Sequence, residues 1–220
     1  MSSTPLPLWV VPADDEPAHG ILLRLAERNG TTVPGRISSL TGLTVRELRL
    51  GIGVERLAAV IKCNETMIRK STPTMSNDAI VIRGERFGKR VTSMSIRRLC
   101  PQCVAESAHH RFWFDLEFVT TCPTHARNLV HTCSCGHDLS WSDVRIAKCR
   151  HCDGGDVTSI PETQVKPDVV EMDRWVLGRL GVGKSDKVPV LESMSLSQAL
   201  DTTGRIGVLD LGGYPSRLFW

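Results

Sequence analysis

Seven of the chain's eight cysteines fall between Cys100 and Cys152, a stretch of 53 residues, and together with His125 they form four pairs. Cys100-Pro-Gln-Cys103 and Cys122-Pro-Thr-His125 each place two donors three positions apart, so that both can converge from one tight knuckle. Cys133-Ser-Cys135 and Cys149-Arg-His-Cys152 repeat the arrangement with thiolates alone. Each set offers four donors and leaves no open position. Closed tetrahedral sites of this kind are structural, whereas catalytic zinc keeps a place for water. The expectation is two bound Zn2+ ions, one per set, and small modules built around them.

The segment between the first two knuckles supports this. Its 18 residues include Phe112, Trp113, Phe114, Leu116 and Phe118, enough apolar surface for a small core around a metal. The second set encloses 13 residues, and Gly136 follows its first pair where the backbone must turn tightly. His131, His137 and His151 lie close enough in sequence to replace a cysteine there. The paired thiolates are preferred, because soft ligands suit zinc. Iron–sulfur ligation is the rival for a four-cysteine set, but its usual runs are spaced differently. Glu106 and Glu117 could serve a catalytic ion only if a ligand position were vacant.

The rest of the composition agrees with modules held by something besides burial. The 220 residues are 41% hydrophobic, but only five Phe, five Trp and one Tyr are available for a large aromatic core, and there are 12 prolines. No run of 18 apolar residues exists, and Pro5, Pro7 and Pro12 interrupt the N-terminal apolar residues. A cytoplasmic protein with no membrane partner is expected, where thiols stay reduced and disulfides are disfavoured.

Charge is uneven. Arg36 to Arg111 holds 14 basic and 6 acidic residues, whereas Pro161 to Trp220 holds 7 and 8. The middle of the chain therefore carries a positive field suited to a polyanion, although a basic face can also simply stay solvated. Helical periodicity runs from Ala18 to Asn29 through Ile21, Leu22, Leu25 and Ala26, with Gly30 as a stop. A second short helix starts at Pro34 with Ile37 and Leu40 inward. After the turn Thr41-Gly42-Leu43-Thr44 a third runs from Val45 to about Leu50, with Thr44 and Glu47 as a capping box and Arg46 and Arg49 outward. A fourth, Val54 to Cys63, buries Leu57, Ala58, Val60 and Ile61, with Cys63 as a buried thiol. Ile37 to Leu50 thus has the outline of a helix-turn-helix, an outline that ordinary bundles share.

Residues 71 to 98 read as polar and broken, with one short strand at Ala79 to Ile82. The candidate DNA contacts are Arg46, Arg49, Arg83, Arg86, Lys89 and Arg90. Toward the C-terminus, Val169, Met172, Val176 and Leu180 share one side of a helix that ends at Gly181, and a short helix follows from Ser195 to Leu200. That appendage either packs on the metal modules or supports self-association.

These residues resemble the TniQ family of transposon target-selection proteins, relatives of TnsD. The likeness begins at Asp15-Glu16-Pro17 with Gly20-Ile21-Leu22-Leu23-Arg24-Leu25-Ala26, although Pro17 and His19 stand where the family often has serine. It resumes at Arg98-Leu99-Cys100-Pro101-Gln102-Cys103, His110-Arg111 and Trp113, and runs through Val119-Thr120-Thr121-Cys122-Pro123-Thr124-His125 to Cys133-Ser134-Cys135-Gly136. Leu139 and Trp141 follow in a similar "L-x-W" element, and Trp175 to Leu180 gives a weaker echo. The sequence stops at Leu218-Phe219-Trp220, soon after a segment resembling the start of a longer C-terminal region, as expected of a compact or shortened member.

The resemblance implies an adaptor rather than an enzyme. Such proteins link a target-recognition component, either DNA-binding domains or a CRISPR effector complex, to an AAA+ transposition ATPase. Asp14, Asp15 and Glu16 suit a helix start, and Ser38-Ser39 lack a placed base. A stand-alone DNA-binding regulator and a structural protein-interaction module are the alternatives. The expected fold class is mainly α with small zinc-binding modules. It comprises an N-terminal helical bundle with a helix-turn-helix-like unit (1–98), two tandem zinc fingers or ribbons (99–130 and 131–160) and short helices (161–220).

Overall fold

The structure, a computed structural model, describes residues 8–31, 34–76, 78–89, 91–93, 95–143, 145–152, 155–184 and 187–210. Arg90, named above as a candidate DNA contact, lies outside them, as do the first seven residues and the last ten.

The N-terminal helices form where the apolar spacing places them. Helix α1 (Ala18–Arg28) buries Ile21, Leu22, Leu25 and Ala26, and the chain turns at Gly30 in the left-handed region. Helices α2 (Pro34–Thr41), α3 (Val45–Arg49) and α4 (Val54–Ile61) pack with it around Ile37, Leu43, Leu48, Leu57 and Ile61. Thr44 caps α3 by accepting the Glu47 N–H at 3.1 Å. The Glu47 carboxylate accepts the Thr44 hydroxyl rather than reaching the cap's own backbone N–H. Leu40 and Val60, expected inside, are respectively exposed and half-buried, because helices of eight residues bury a narrow stripe. Cys63 is likewise half-buried, and burial pushes its thiol up.

A fifth helix, α5 (Glu65–Ser71), had no counterpart in the expectation. Its signal was local: Asn64 accepts the Thr66 N–H at 2.9 Å and Ile68 is buried. The segment read as a broken loop with one strand is a three-stranded antiparallel sheet. Its strands are β1 (Thr74–Met75), β2 (Ile80–Ile82) and β3 (Glu85–Phe87) in that order. Ile80, Ile82 and Phe87 face inward.

Beyond the sheet come α6 (Pro101–Glu106), a 3-10 turn at Phe112–Asp115, the hairpin β4 (Thr121–Cys122) and β5 (Arg127–Asn128), a 3-10 turn at Val157–Ser159, α7 (Pro167–Arg179) and α8 (Leu196–Asp210). One apolar cluster runs through all of them, from Leu99, Phe112 and Phe114 to Leu139, Trp175 and Ala199, and includes Leu23 of α1 and Ile80 of β2. On α7 the inward residue is Val170, not Val169, which is 40% exposed. The face is set by Asp173, whose buried carboxylate accepts N–H and O–H bonds from Thr120 and Thr121. Helix α8 is longer than expected, and its first N–H reaches the Glu85 carboxylate of β3 at 3.2 Å. The fold is mainly helical, with two small sheets among the described residues.

Candidate metal centres

The first knuckle sits at the start of α6. Cys100 occupies the N-cap position, Pro101 sets the first helical φ, and Cys103 follows within the first turn, so both sulfurs leave one end of the helix. The second knuckle is the turn of the β4–β5 hairpin, closed by the Ala126 N–H on the Cys122 carbonyl at 2.8 Å, with Ala126 at φ 51°. His125 Nδ1 lies 3.4 Å from each of Cys100, Cys103 and Cys122 Sγ, and the Cys103 and Cys122 sulfurs are 3.5 Å apart. A tetrahedral zinc with bonds of about 2.0–2.3 Å requires donor-to-donor edges of about 3.3–3.8 Å. The four donors fit that figure.

The protonation of the group points the same way. Contacts with Cys100 and Cys122 push the Cys103 thiol far up, whereas Cys100 and Cys103 hold Cys122 far below the usual thiol range. Three touching sulfurs cannot all ionise without a cation among them. On the outer side, His125 Nε2 lies 2.9 Å from the Glu106 carboxylate at the end of α6. That contact fixes the ring so that Nδ1 faces the sulfurs, the usual support for a histidine ligand.

In the second set, Cys133 and Cys152 Sγ are 3.6 Å apart and Cys135 and Cys149 Sγ are 3.8 Å apart. Gly136, at φ 84°, makes the turn after Cys135, where a side chain would be strained. The His151 N–H donates to Cys149 Sγ at 3.4 Å. The ligand-type atoms of all four cysteines lie within 4.8 Å of one another. His137 and His151 stack on each other with centroids 4.2 Å apart, and His131 turns to Asp138; none of the three replaces a cysteine in the cluster. Between the sets, Leu99 and Val130 exchange both backbone hydrogen bonds at 2.9 and 2.8 Å. Arg97, fully buried, reaches Asp143 at 3.0 Å and the Ile146 carbonyl at 2.7 Å, which anchors the loop enclosed by the second set.

A third group escaped the sequence reading. His19 of α1 and His110 both meet the Asp115 carboxylate, at 2.8 and 3.1 Å, with all three residues buried. Trp141 packs edge-on against both imidazoles, its ring centroid 4.6 Å from each. The spacing of 96 residues between His19 and Asp115 leaves no motif to read. A clue lay in the departure at His19 and in the acid embedded in an aromatic run. Beside it, His109 meets Asp15 at 2.7 Å, and the Phe112 N–H donates to the Asp15 carbonyl at 2.8 Å. Gly20 permits this docking, since a Cβ there would stand 3.0 Å from His110 Cβ.

The candidate DNA contacts separate into two kinds. Arg46, Arg86 and Lys89 are exposed, Arg86 in an ion pair with Asp78 at 2.7 Å. Arg49, expected outward, is 5% exposed and lies 4.6 Å over the Trp141 ring, because the loop that carries Trp141 covers that part of α3. Arg83 is half-buried, and its guanidinium stacks 4.7 Å over Phe112.

Each donor set is closed, which suits a metal that holds a fold rather than one that turns over a substrate. The chain belongs to the TniQ family, whose pattern matches residues 7–129, more than half of its length. TniQ proteins are non-catalytic adaptors, and membership is consistent with a general role in transposition. A search of curated proteins returned no match. Among the described residues no helix is long and apolar enough to cross a membrane.

Proposed function

We propose that the chain is a target-selection adaptor of transposition that links DNA, or a target-recognition component such as a CRISPR effector complex, to an AAA+ transposition ATPase. Two zinc ions hold its shape, one on Cys100, Cys103, Cys122 and His125 and one on Cys133, Cys135, Cys149 and Cys152. The observation that carries the reading is the conjunction of family membership with two donor sets whose edges suit zinc. Bound there, each ion supplies cross-links and folding energy to modules spanning about 99–130 and 131–160.

The N-terminal part, 1–98, supplies the DNA side. Helices α2 and α3 flank a tight turn in which Gly42 takes φ 68°, and Arg46 is exposed on α3, as a helix-turn-helix-like unit requires. Arg46, Arg86 and Lys89 are the contacts with exposed side chains, with Arg90 next in sequence. Within 161–220, α7 and the start of α8 pack on the apolar cluster that runs from Leu99 to Ala199, and the exposed Val169 face of α7 is where a partner or a second copy would meet it.

The test couples metal content with partner binding. Elemental analysis of the purified chain should give two zinc ions per molecule, and immobilised chain should retain a purified AAA+ transposition ATPase. One ion or none removes the metal assignment. Failure to retain the ATPase with both ions bound removes the adaptor link and leaves the zinc sites standing.

A further inference from the structure

A cleft of about 620 Å³ opens between α5, the three-stranded sheet and the end of α7. Arg69, Lys70, Thr74, Val81, Arg83 and Arg179 contribute to its wall, and no carboxylate among the described residues does. The four cations are not equivalent. Arg69 pairs with Glu65 and, at 3.2 Å, with Glu55. Arg179 lies 3.8 Å from Glu85 and donates to the Leu191 and Met194 carbonyls.

Arg83 and Lys70 have no such answer to their charge. The Arg83 guanidinium donates only to neutral oxygens: the Asp14, Leu180 and Gly181 carbonyls and the Ser71 hydroxyl, at 2.9–3.5 Å. Its Nε is buried without a partner, and burial pushes its pKa down against the more distant pull of Asp15 and Asp14. Lys70 is exposed and has no polar partner among the described residues. Two cations in one cleft, neither in an ion pair, are a standing attraction for an anion.

The sheet register lengthens this feature. Thr74 pairs with Val81, and Val81 pairs with Arg86. Directly opposed residues project from the same face. Arg86 therefore stands in line with Thr74 and Val81 on the face that walls the cleft, while Ile80, Ile82 and Phe87 fill the other. Its ion pair with Asp78 is exposed on both sides, 60% and 76%, so the pair is weak and readily exchanged.

We infer that this cleft and the adjoining Arg86 position form a track for the phosphodiester backbone of nucleic acid, with Lys70 and Arg83 at its centre. The inference rests on the proposed contact with DNA and gives it a location. Donors spread over a helix, a sheet face and a hairpin turn suit a repeating chain of phosphates better than one compact anion. Contacts of this kind position a duplex without reading its bases.

The experiment uses the full, zinc-loaded chain and a fluorescent duplex, followed by anisotropy across a salt titration. Lys70→Ala/Arg86→Ala alters two exposed side chains, and an unchanged melting curve confirms its fold. The slope of log K against log salt should shrink by roughly 0.9 per lost contact, about 1.8 for the pair, and equally on unrelated sequences. If the wild type binds duplex and the double variant matches it in affinity and slope, the track is wrong while DNA contact elsewhere survives. If the wild type binds no duplex at all, the DNA reading fails and takes the track with it. Displacement by polyglutamate as effective as that by unlabelled duplex, at equal charge concentration, would overturn the phosphodiester assignment in favour of an acidic protein segment.

Discussion

His19 and Asp115, 96 positions apart in sequence, meet at 2.8 Å in the buried seam between α1 and the 3-10 turn at Phe112–Asp115. Burial alone would push the Asp115 carboxyl up. The facing imidazoles of His110 and His19 reverse this and hold it well below the usual carboxylate range. Near neutral pH the carboxylate is thus ionised and each imidazole offers it an N–H. Asp115→Asn keeps the shape but turns one acceptor into a donor, which then faces an imidazole N–H. The expected loss is about 1–3 kcal/mol for the unsatisfied buried donor. Chemical denaturation with zinc retained measures it, and an unchanged midpoint would mean that the seam is held by apolar packing alone.

The same group sets a pH dependence. Burial lowers His110 to about 4 against the opposing pull of Asp115, and it lowers His19 in the same direction. The unfolded chain therefore binds more protons than the folded one below about pH 6.5, so stability is lost as pH falls from there toward 4. Glu16 acts oppositely: burial raises it to about 7 in spite of Arg24, so its contribution is present below about 4.5 and lost as pH rises through 7. The two histidines favour a melting temperature that rises between pH 4.5 and 6.5, against Glu16 and against Asp173, which burial also raises. His110→Gln should flatten that rise, by up to about 1.4 kcal/mol per pH unit for one proton. Comparing the two proteins removes any acid loss of zinc common to both; parallel curves would exclude His110 as the titrating group.

Zinc removal should be destructive but not uniform. The cluster running from Leu99 to Ala199 is threaded by Cys100, Cys103, Cys122, Cys133 and Cys149, whereas the cluster of α1 to α5 contains no proposed ligand. Binding of structural zinc is worth roughly 10–16 kcal/mol apparent at neutral pH. Chelation, or Cys103→Ser, is expected to abolish amide protection in β4, β5 and α7 while α1 and α4 keep theirs partly. Hydrogen exchange resolves the two regions, and full protection in verified zinc-free protein would show that the ions are dispensable to the fold.

What was legible in the sequence was what is local. The knuckles could be read because each pair of donors lies within four residues, and α1, α3 and α4 because their apolar spacing repeats over a turn or more. The sheet β1–β3 was mostly missed, since strands of two or three residues give too few alternations to separate from a loop. Val169 and Val170 are adjacent apolar residues, and the choice between them is made by the Asp173 carboxylate reaching Thr120 and Thr121, over 50 positions away. The His19–Asp115–His110 group was missed for the same reason: its geometry exists only once α1 has docked.

Arg46 and Arg49 bring that lesson to a functional test. Three residues apart on α3, they looked interchangeable as outward cations, yet the structure leaves Arg46 in solvent and lays Arg49 over Trp141. Arg49 thereby clamps α3 against the loop that carries the second donor set, and burial pushes its own pKa down with Asp115 pulling the other way. Arg49→Ala should lower stability by about 1–2 kcal/mol, the worth of a desolvated cation–π contact with its packing. Its salt dependence of duplex binding should stay at the wild-type slope, because the guanidinium does not reach phosphate. Arg46→Ala should do the reverse, leaving the melting curve in place and reducing the slope by roughly 0.9. Paired melting and salt-titration curves for the two variants decide it: a reduced slope in folded Arg49→Ala would return Arg49 to the DNA-facing side, and would require α3 to turn or lift from Trp141 when the duplex binds.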